Sequence, residues 1–395
     1  MSMDFDLLII GGGLVGGSLA LALQATPLRI GLVEALSDAE RRVSPAGDRA
    51  LALSRSTAQG LAGLGLWDVV AARAMPIRHI HVSDRGHFGK TRLHAAEADV
   101  DALGHVLLAR HLEDAIQSRL DETAVSRLCP ARVMGLKAGP DRVFVTLKEG
   151  EETRNISARL CVAADGGNST VRTLLGIEQR VQEYGQTAIV AEVQTERPTR
   201  HTAYERFTVT GPLAFLPLAA HRSSVVWTLA DEEAADMLQR GDAEFITSLQ
   251  EAFGHWLGGL SLVSRPQGFP LRLIQAGRMD DDRVILIGNA MHQLHPVAGQ
   301  GFNLGLRDAA ILAEHLEIQT RLGADIGAAD FLARYAATRR RDLERVVRFT
   351  DSLVRLFSND DTPLALLRNL GLLTLDHLPF AKRMLCRHAM GYGVR

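Results

Sequence analysis

Cysteine is scarce: only Cys129, Cys161 and Cys386 occur among 395 residues, an odd number with no close-spaced pair. That excludes a disulfide framework and a cysteine-rich metal site, and it suits a reducing cytoplasm. Cys161 falls inside an apolar run and reads as a small buried hydrophobe. Aromatic residues make up 5% and are scattered. No charge of one sign dominates: 44 Lys and Arg stand against 46 Asp and Glu, a net charge of -2. There is then no overall basic field, and no nucleic-acid partner is expected. The fourteen histidines form no His-Glu-x-x-His or similar cluster, so no metal is expected. Long hydrophobic runs are also missing. The nearest, residues 7–23, follows Asp4 and Asp6 where a secretion signal would carry positive charge, and glycines interrupt it.

What is present is a chain that is 46% hydrophobic and 23% charged, long enough for a large core and about two domains. Three glycine-bearing patches follow strand-like apolar runs. Residues 7–10 lead into Gly11-Gly12-Gly13-Leu14-Val15-Gly16 and then an alanine- and leucine-rich helix, and a second strand at 30–33 ends in Glu34. This is the dinucleotide fingerprint in its structural context: Gly11 permits the tight turn, Gly13 lets the backbone approach a pyrophosphate, and Gly16 lets helix and strand pack closely. Glu34 is placed to accept hydrogen bonds from a ribose. Residues 160–164 run into Asp165-Gly166, and 284–287 into Gly288-Asn289. Strand ends that open into glycine turns are where open α/β sheets place ligands. Beyond the third patch comes His295-Pro296-Val297-Ala298-Gly299-Gln300-Gly301-Phe302-Asn303, a glycine-rich entry to a helix that begins near Leu304.

The order of these three patches resembles the flavin-dependent aromatic hydroxylases over nearly the whole chain. Further segments, 81–87, Glu205-Arg206-Phe207 and 299–305, resemble the ubiquinone-biosynthesis branch, most closely its polyprenyl-methoxyphenol hydroxylases. The wider family has Asp where this chain has Asn289, which can still hydrogen-bond a ribityl hydroxyl but is neutral. The resemblance implies an α/β fold: a glutathione-reductase-type, Rossmann-like FAD-binding domain with an inserted β-sheet substrate domain and a C-terminal helical region. The expected division is 1–75, 101–182 and 274–335 for the FAD domain, 76–100 and 183–273 for the substrate domain, and 336–395 for the helical region. FAD is the implied cofactor and NAD(P)H the co-substrate, with no second nicotinamide fingerprint. The implied cofactor residues are Gly11, Gly13, Gly16, Glu34, Arg49, Arg110, Asp165, Gly166, Asn289, Pro296, Gly299, Gln300, Gly301 and Asn303.

The implied reaction is oxygen transfer from a flavin C4a-hydroperoxide to a phenolic ring, which needs no side-chain nucleophile. The helix start after Gly299 would favour negative charge developing on the flavin. Gly299 and Gly301 are read as small to spare the flavin a clash. His292 and His295 are weak candidates for proton transfer, and they can equally brace the loop. Phe207, Leu213, Phe215, Leu216, Pro217 and Trp227 are candidates for the substrate wall, although any one can be ordinary core. A halogenase is disfavoured because Trp227 has no second tryptophan nearby; another phenolic substrate, or a non-catalytic flavin-binding assembly subunit, remains the alternative. Expected partners are a polyprenyl phenol and O2. Residues 334–395 carry twelve Lys or Arg against six Asp or Glu, and with the apolar stretch 364–375 they suggest a membrane surface or a biosynthetic complex. The expected location is cytoplasmic, peripheral at the inner membrane if that surface is used.

Overall fold

The computed structural model describes residues 3–294, 299–357 and 362–392. Its first sheet is built on parallel strands β1 (Phe5–Ile10), β2 (Ile30–Val33), β8 (Ser126–Leu128), the second half of β11 (Glu152–Ala163) and β19 (Val284–Leu286), in the order β19-β11-β1-β2-β8. The short β18 (Asp280–Asp281) closes one edge, and β9 (Arg132–Ala138) and β10 (Val143–Glu149) extend antiparallel from the first half of β11. Leu7, Leu8 and Ile9 of β1 are all fully buried, which explains the unbroken apolar run: a parallel strand covered on both faces has no polar side. Each such side chain contributes about 1.5–3 kcal/mol of burial.

Around this sheet lie helices α1 (Leu14–Ala22), α2 (Asp38–Arg42), α3 (Arg55–Gly63), α4 (Trp67–Val70), α5 (Ala109–Leu120), α6 (Thr170–Leu174), α9 (Gln300–Arg321) and α10 (Ala329–Phe357). Helix α9 starts four residues before the expected Leu304, so its first turn contains the glycine-rich segment itself.

A second sheet follows the order β20 (His292–Gln293), β17 (Gln267–Ala276), β12 (Gln179–Thr195), β15 (Arg222–Ala230), β14 (Gly211–Ala219), β13 (Thr202–Thr208), β5 (His79–Asp84) and β6 (Lys90–His94), with β16 (Leu260–Leu262) on β12. Residues 79–94 therefore join a sheet whose other strands lie far later in the chain. One face of this sheet is covered by α7 (Asp231–Gln239) and by α8 (Asp242–Phe253). Between the two sheets sits a three-stranded one, β3 (Ala50–Ser54), β7 (Gly104–Leu108) and β4 (Met75–Ile77). Helices α11 (Thr362–His377) and α12 (Pro379–Ala389) complete the chain, α11 packing on β6.

Candidate functional site

In-register pairing decides where the three patches meet. Ile10 pairs with Ala163 and Ala163 with Leu286, so three adjacent parallel strands end at one level. The turns at Gly11, Asp165 and Gly288 therefore leave from the same sheet edge, where open α/β sheets place their ligands.

In the first turn Gly11 has φ +103°, and a Cβ there would lie 2.4 Å from the Ala164 carbonyl oxygen. A Cβ on Gly16 would lie 1.9 Å from the Gly11 oxygen, so close helix–strand packing requires that glycine. Gly13 differs: it caps α1 without a side-chain hydrogen bond, and a Cβ there would meet no protein atom within 4 Å. Space is open above an uncapped helix N-terminus, which favours an anion. Glu34 accepts a hydrogen bond from the Gly12 N–H at 2.8 Å and another from the Leu36 N–H at 2.8 Å. It thus holds the turn directly, and each carboxylate oxygen retains a further lone pair for a ribose. Gln117 of α5, missed by sequence reasoning, donates to the Gly12 carbonyl at 2.9 Å.

At the second turn, Asp165 accepts the Val171 N–H on Oδ2 at 3.1 Å, while its buried Oδ1 has no partner among the described residues. Gly166 has φ +85° with open space at its Cβ position. Arg172, 5% exposed, donates to the Ala290 carbonyl at 2.8 Å and the Gly167 carbonyl at 2.6 Å. It ties the second turn to the third; a lone arginine after a glycine turn carries no sequence signal for such a brace.

The third turn packs on the first through Val15, whose side chain would contact a Cβ on Gly288 at 3.3 Å and on Gly305 at 3.1 Å. Asn289 is exposed at the turn. His292 is 1% exposed, and its Nε2 lies 2.7 Å from Asp308 Oδ2. Asp308 also accepts the Gly288 N–H at 3.0 Å and Arg339 Nε at 2.7 Å. Burial pushes the Asp308 carboxyl up, but His292, Arg339 and the Gly288 N–H outweigh it and hold the group below the usual carboxylate range. Of the two roles expected for His292, this geometry fits bracing: the ring is sealed inside a charged network. His295 and Pro296 lie outside the described residues.

Gly299 caps α9 with φ +61°, and its Cβ would stand 2.8 Å from that of Ala52. The expected reason for this glycine therefore needs correction: the protein's own backbone and Ala52 already require it. A Cβ on Gly301 would meet no described protein atom within 4 Å. The side chain of Gln300 lies outside the described residues. Asn303 is 3% exposed, accepts the Ser54 N–H at 2.9 Å and donates to the carbonyls of Ala52 at 2.8 Å and Gly299 at 2.7 Å. Both amide hydrogens are consumed, so Asn303 clamps β3 to α9 rather than donating to a cofactor. Arg49 and Arg110 are brought side by side by the Ala109 N–H to Arg49 carbonyl bond at 2.9 Å. Arg110 pairs with Asp48, and Arg49 is exposed.

The substrate-wall expectation is overturned for three residues. Leu213, Phe215 and Trp227 point to the α7–α8 side, where Phe215 stacks on Phe253 at 3.8 Å between centroids and Trp227 meets Phe245 at 6.1 Å. They are core. Phe207 lies on the other face but packs on Val82 and Leu372. Of the six, Leu216 looks toward the three-stranded sheet, together with Leu218 and Ala203 against Ile77 and Val106. The expected wall mixed residues from both faces of the sheet, and only the packing of α7 and α8 shows which face is covered.

A dinucleotide-binding flavoprotein is the class that this edge of glycine turns defines. A family model described as FAD binding domain matches residues 4–350. The chain is 42% identical over 98% of its length to the ubiquinone hydroxylase UbiL of Rhodospirillum rubrum, covering 89% of that protein. It is 31% identical over 98% of its length to the 3-demethoxyubiquinol 3-hydroxylase of Escherichia coli, covering 98% of it. The p-nitrophenol 4-monooxygenase PnpA of Pseudomonas putida superposes with a TM-score of 0.83 over 100% of both chains, at 22% identity. The chain belongs to the FAD binding domain family of flavin-dependent aromatic monooxygenases, in its ubiquinone-biosynthesis hydroxylase branch. The open space at Gly13, Gly166 and Gly301, the unpartnered Asp165 Oδ1 and the uncapped starts of α1 and α9 all fit FAD.

Proposed function

We propose that this protein hydroxylates the aromatic ring of a polyprenylated methoxyphenol in ubiquinone biosynthesis, using O2 and NAD(P)H. The observation that carries the reading is the joint construction of two surfaces: three glycine turns on one sheet edge, and beside them the apolar, part-open sheet face of Ala214, Leu216 and Leu218. FAD, when bound, supplies the electron and oxygen chemistry that side chains lack. Gly11, Gly13 and Gly16 with Glu34 would hold its nucleotide half. Asp165, Gly166 and Asn289 would hold the middle, and the start of α9, with Gly299, Gln300 and Gly301, would sit at the ring. Arg49 and Arg110 would flank that ring. The part of these residues is to bind, orient and oppose developing negative charge with backbone N–H groups. The apolar face excludes water and aligns the phenol.

Support for a polyprenyl chain comes from the surface of α12. Phe380 is 74% exposed, Met384 54% and Leu378 51%, with exposed Arg383 and Arg387 on the same stretch. Aromatic and sulfur-bearing groups interleaved with arginines suit an anionic lipid surface. No described helix is long and apolar enough to cross a membrane. The decisive experiment supplies the purified protein with NADH or NADPH, a prenylated 2-methoxyphenol and isotopically labelled dioxygen. One labelled oxygen atom in the phenolic product is the expected result, and its absence removes the reading.

A further inference from the structure

Strand β13 carries a carboxyl group that the site so far leaves unused. Its residues alternate between faces: Tyr204 and Arg206 turn to α8, where Tyr204 meets Phe253 at 5.4 Å and Arg206 lies 5.2 Å over Trp256. Ala203, Glu205 and Phe207 therefore turn the other way. Register fixes the neighbours of Glu205 on that face as Val82 of β5 and Ala214 of β14. Both are apolar. One step along the face Ala203 packs with Ile77 and Val106, near Ala50 of β3. That same β3 is clamped at Ala52 and Ser54 to Gly299 and the start of α9. Glu205 thus lies on the sheet face turned to the cofactor loop, among the apolar residues assigned to the ring.

Among the described residues no countercharge meets it. Glu205 has no hydrogen-bond or ion-pair partner among the described residues, and burial pushes its carboxyl up to about 7. An acid side chain in an apolar wall costs stability unless something meets it. Asp84, on the same face of β5, is engaged with His87 at 3.2 Å and with Asn369 of α11 at 3.2 Å. Helix α10, which packs against β14, carries Arg345, Arg348 and Asp351 in its sequence, and Arg348 is exposed and paired with Glu344. The pattern Glu205-Arg206-Phe207 was evident in the sequence, but its chemistry was not: strand alternation parts the arginine from the glutamate, and only the register shows what the glutamate then faces.

Resting on the hydroxylase reading above, we propose that Glu205 is a catalytic residue, the carboxylate that accepts the hydrogen bond and then the proton of the substrate phenol. In that step the phenolic O–H bond breaks and an O–H bond forms on Glu205. The electron pair left on the phenol oxygen enriches the ring carbons that receive oxygen, and no oxidant is consumed. A base with affinity for protons near neutrality is well matched to this task, and general-base assistance is worth about 10²–10⁴-fold.

The test uses the FAD-loaded full chain and a prenylated 2-methoxyphenol. Binding to the wild-type enzyme should produce the ultraviolet difference spectrum of a phenolate at a pH where the free phenol is neutral. Glu205→Gln should keep FAD and its reduction by NAD(P)H, lose the phenolate spectrum, and hydroxylate about 100-fold more slowly. A Gln variant that ionises the bound phenol and turns over within about twofold of wild type overturns the proposal. If that variant does not retain FAD, Glu205→Asp decides, since its shorter carboxylate should restore a phenolate spectrum; a spectrum lost in both variants together with FAD overturns the assignment to substrate chemistry. A wild-type enzyme that hydroxylates without ionising the phenol overturns the role of Glu205 alone. Failure of the wild type to hydroxylate any phenol overturns the reading beneath it.

Discussion

Replacing Asp308 by Asn should strike the fold at the place where the third glycine turn is held. Asp308 is 2% exposed and Arg339 1% exposed, so the ion pair between them is out of water. Four groups converge on the carboxylate: the Gly288 N–H, His292, and Nε and a terminal nitrogen of Arg339, the last at 2.7 Å. Breaking a buried pair by removing one partner costs about 3–5 kcal/mol. Asp342 still meets Arg339 at 2.8 Å, which retains part of the compensation and places the expected loss near the lower limit, about 3 kcal/mol. For a domain of about 150–250 residues each kcal/mol moves the melting midpoint by about 2–4 °C, so a fall of about 6 °C or more should be read by thermal denaturation at neutral pH. Adding Arg339→Met should recover part of that loss, since the arginine then no longer lacks its partner. The pH sign also follows. The Asp308 carboxyl is held below its ordinary 3.8 in the folded chain, so its stabilisation is fully present above that value and disappears only as pH falls through the lower folded one. A single Asn variant that melts within about 2 °C of wild type, or a double variant no better than the single, would refute the reasoning.

Other consequences are simpler to state. Gly13→Val should leave the apoprotein folded, because no protein atom lies within 4 Å of the new Cβ position, yet abolish flavin retention; purified protein that stays yellow contradicts the site. Gly16→Ala should instead lower the yield of folded protein, since its Cβ would meet the Gly11 oxygen at 1.9 Å, and a wild-type melting curve would argue against that packing. Asn289→Asp should still bind FAD, with altered reduction kinetics measured by stopped flow, because either side chain accepts a hydroxyl hydrogen bond. Phe380→Glu with Met384→Glu should reduce sedimentation with anionic phosphatidylglycerol vesicles while FAD stays bound; unchanged sedimentation would remove the lipid-facing reading. Point changes serve better there than truncation, because α12 buries Cys386 and Met390 against Leu93 and Leu103, and the Ser56 N–H donates to the Met390 carbonyl at 3.0 Å.

The strands and glycine turns were legible in the sequence because each obeys a local rule. Leu7 to Ile10 must be apolar in a doubly covered strand, and Gly11 must tolerate a positive φ. What escaped depended on partners distant in sequence. Arg172 joins two turns, Gln117 reaches back to Gly12, and Asp308 gathers three elements, and none of these contacts has a spacing signature. Asn303 was recognised as a motif residue, but its amide hydrogens go to protein carbonyls that the chain supplied 251 and 4 positions earlier. Helix α7 follows β15 directly, with no turn between them to mark its start.

The adjacency of β1 and β11 also bears on how the protein is made. Leu8 pairs with Cys161, and Cys161 with Val284, so the first central strand waits for partners synthesised far later in the chain. A nascent chain on the ribosome holds its fingerprint glycines long before the edge they belong to exists. Such long-range pairing folds slowly and leaves apolar strands open to aggregation in the interval. Flavin can therefore act as a late ligand that captures the finished sheet, and FAD supplied during expression should raise the yield of soluble chain.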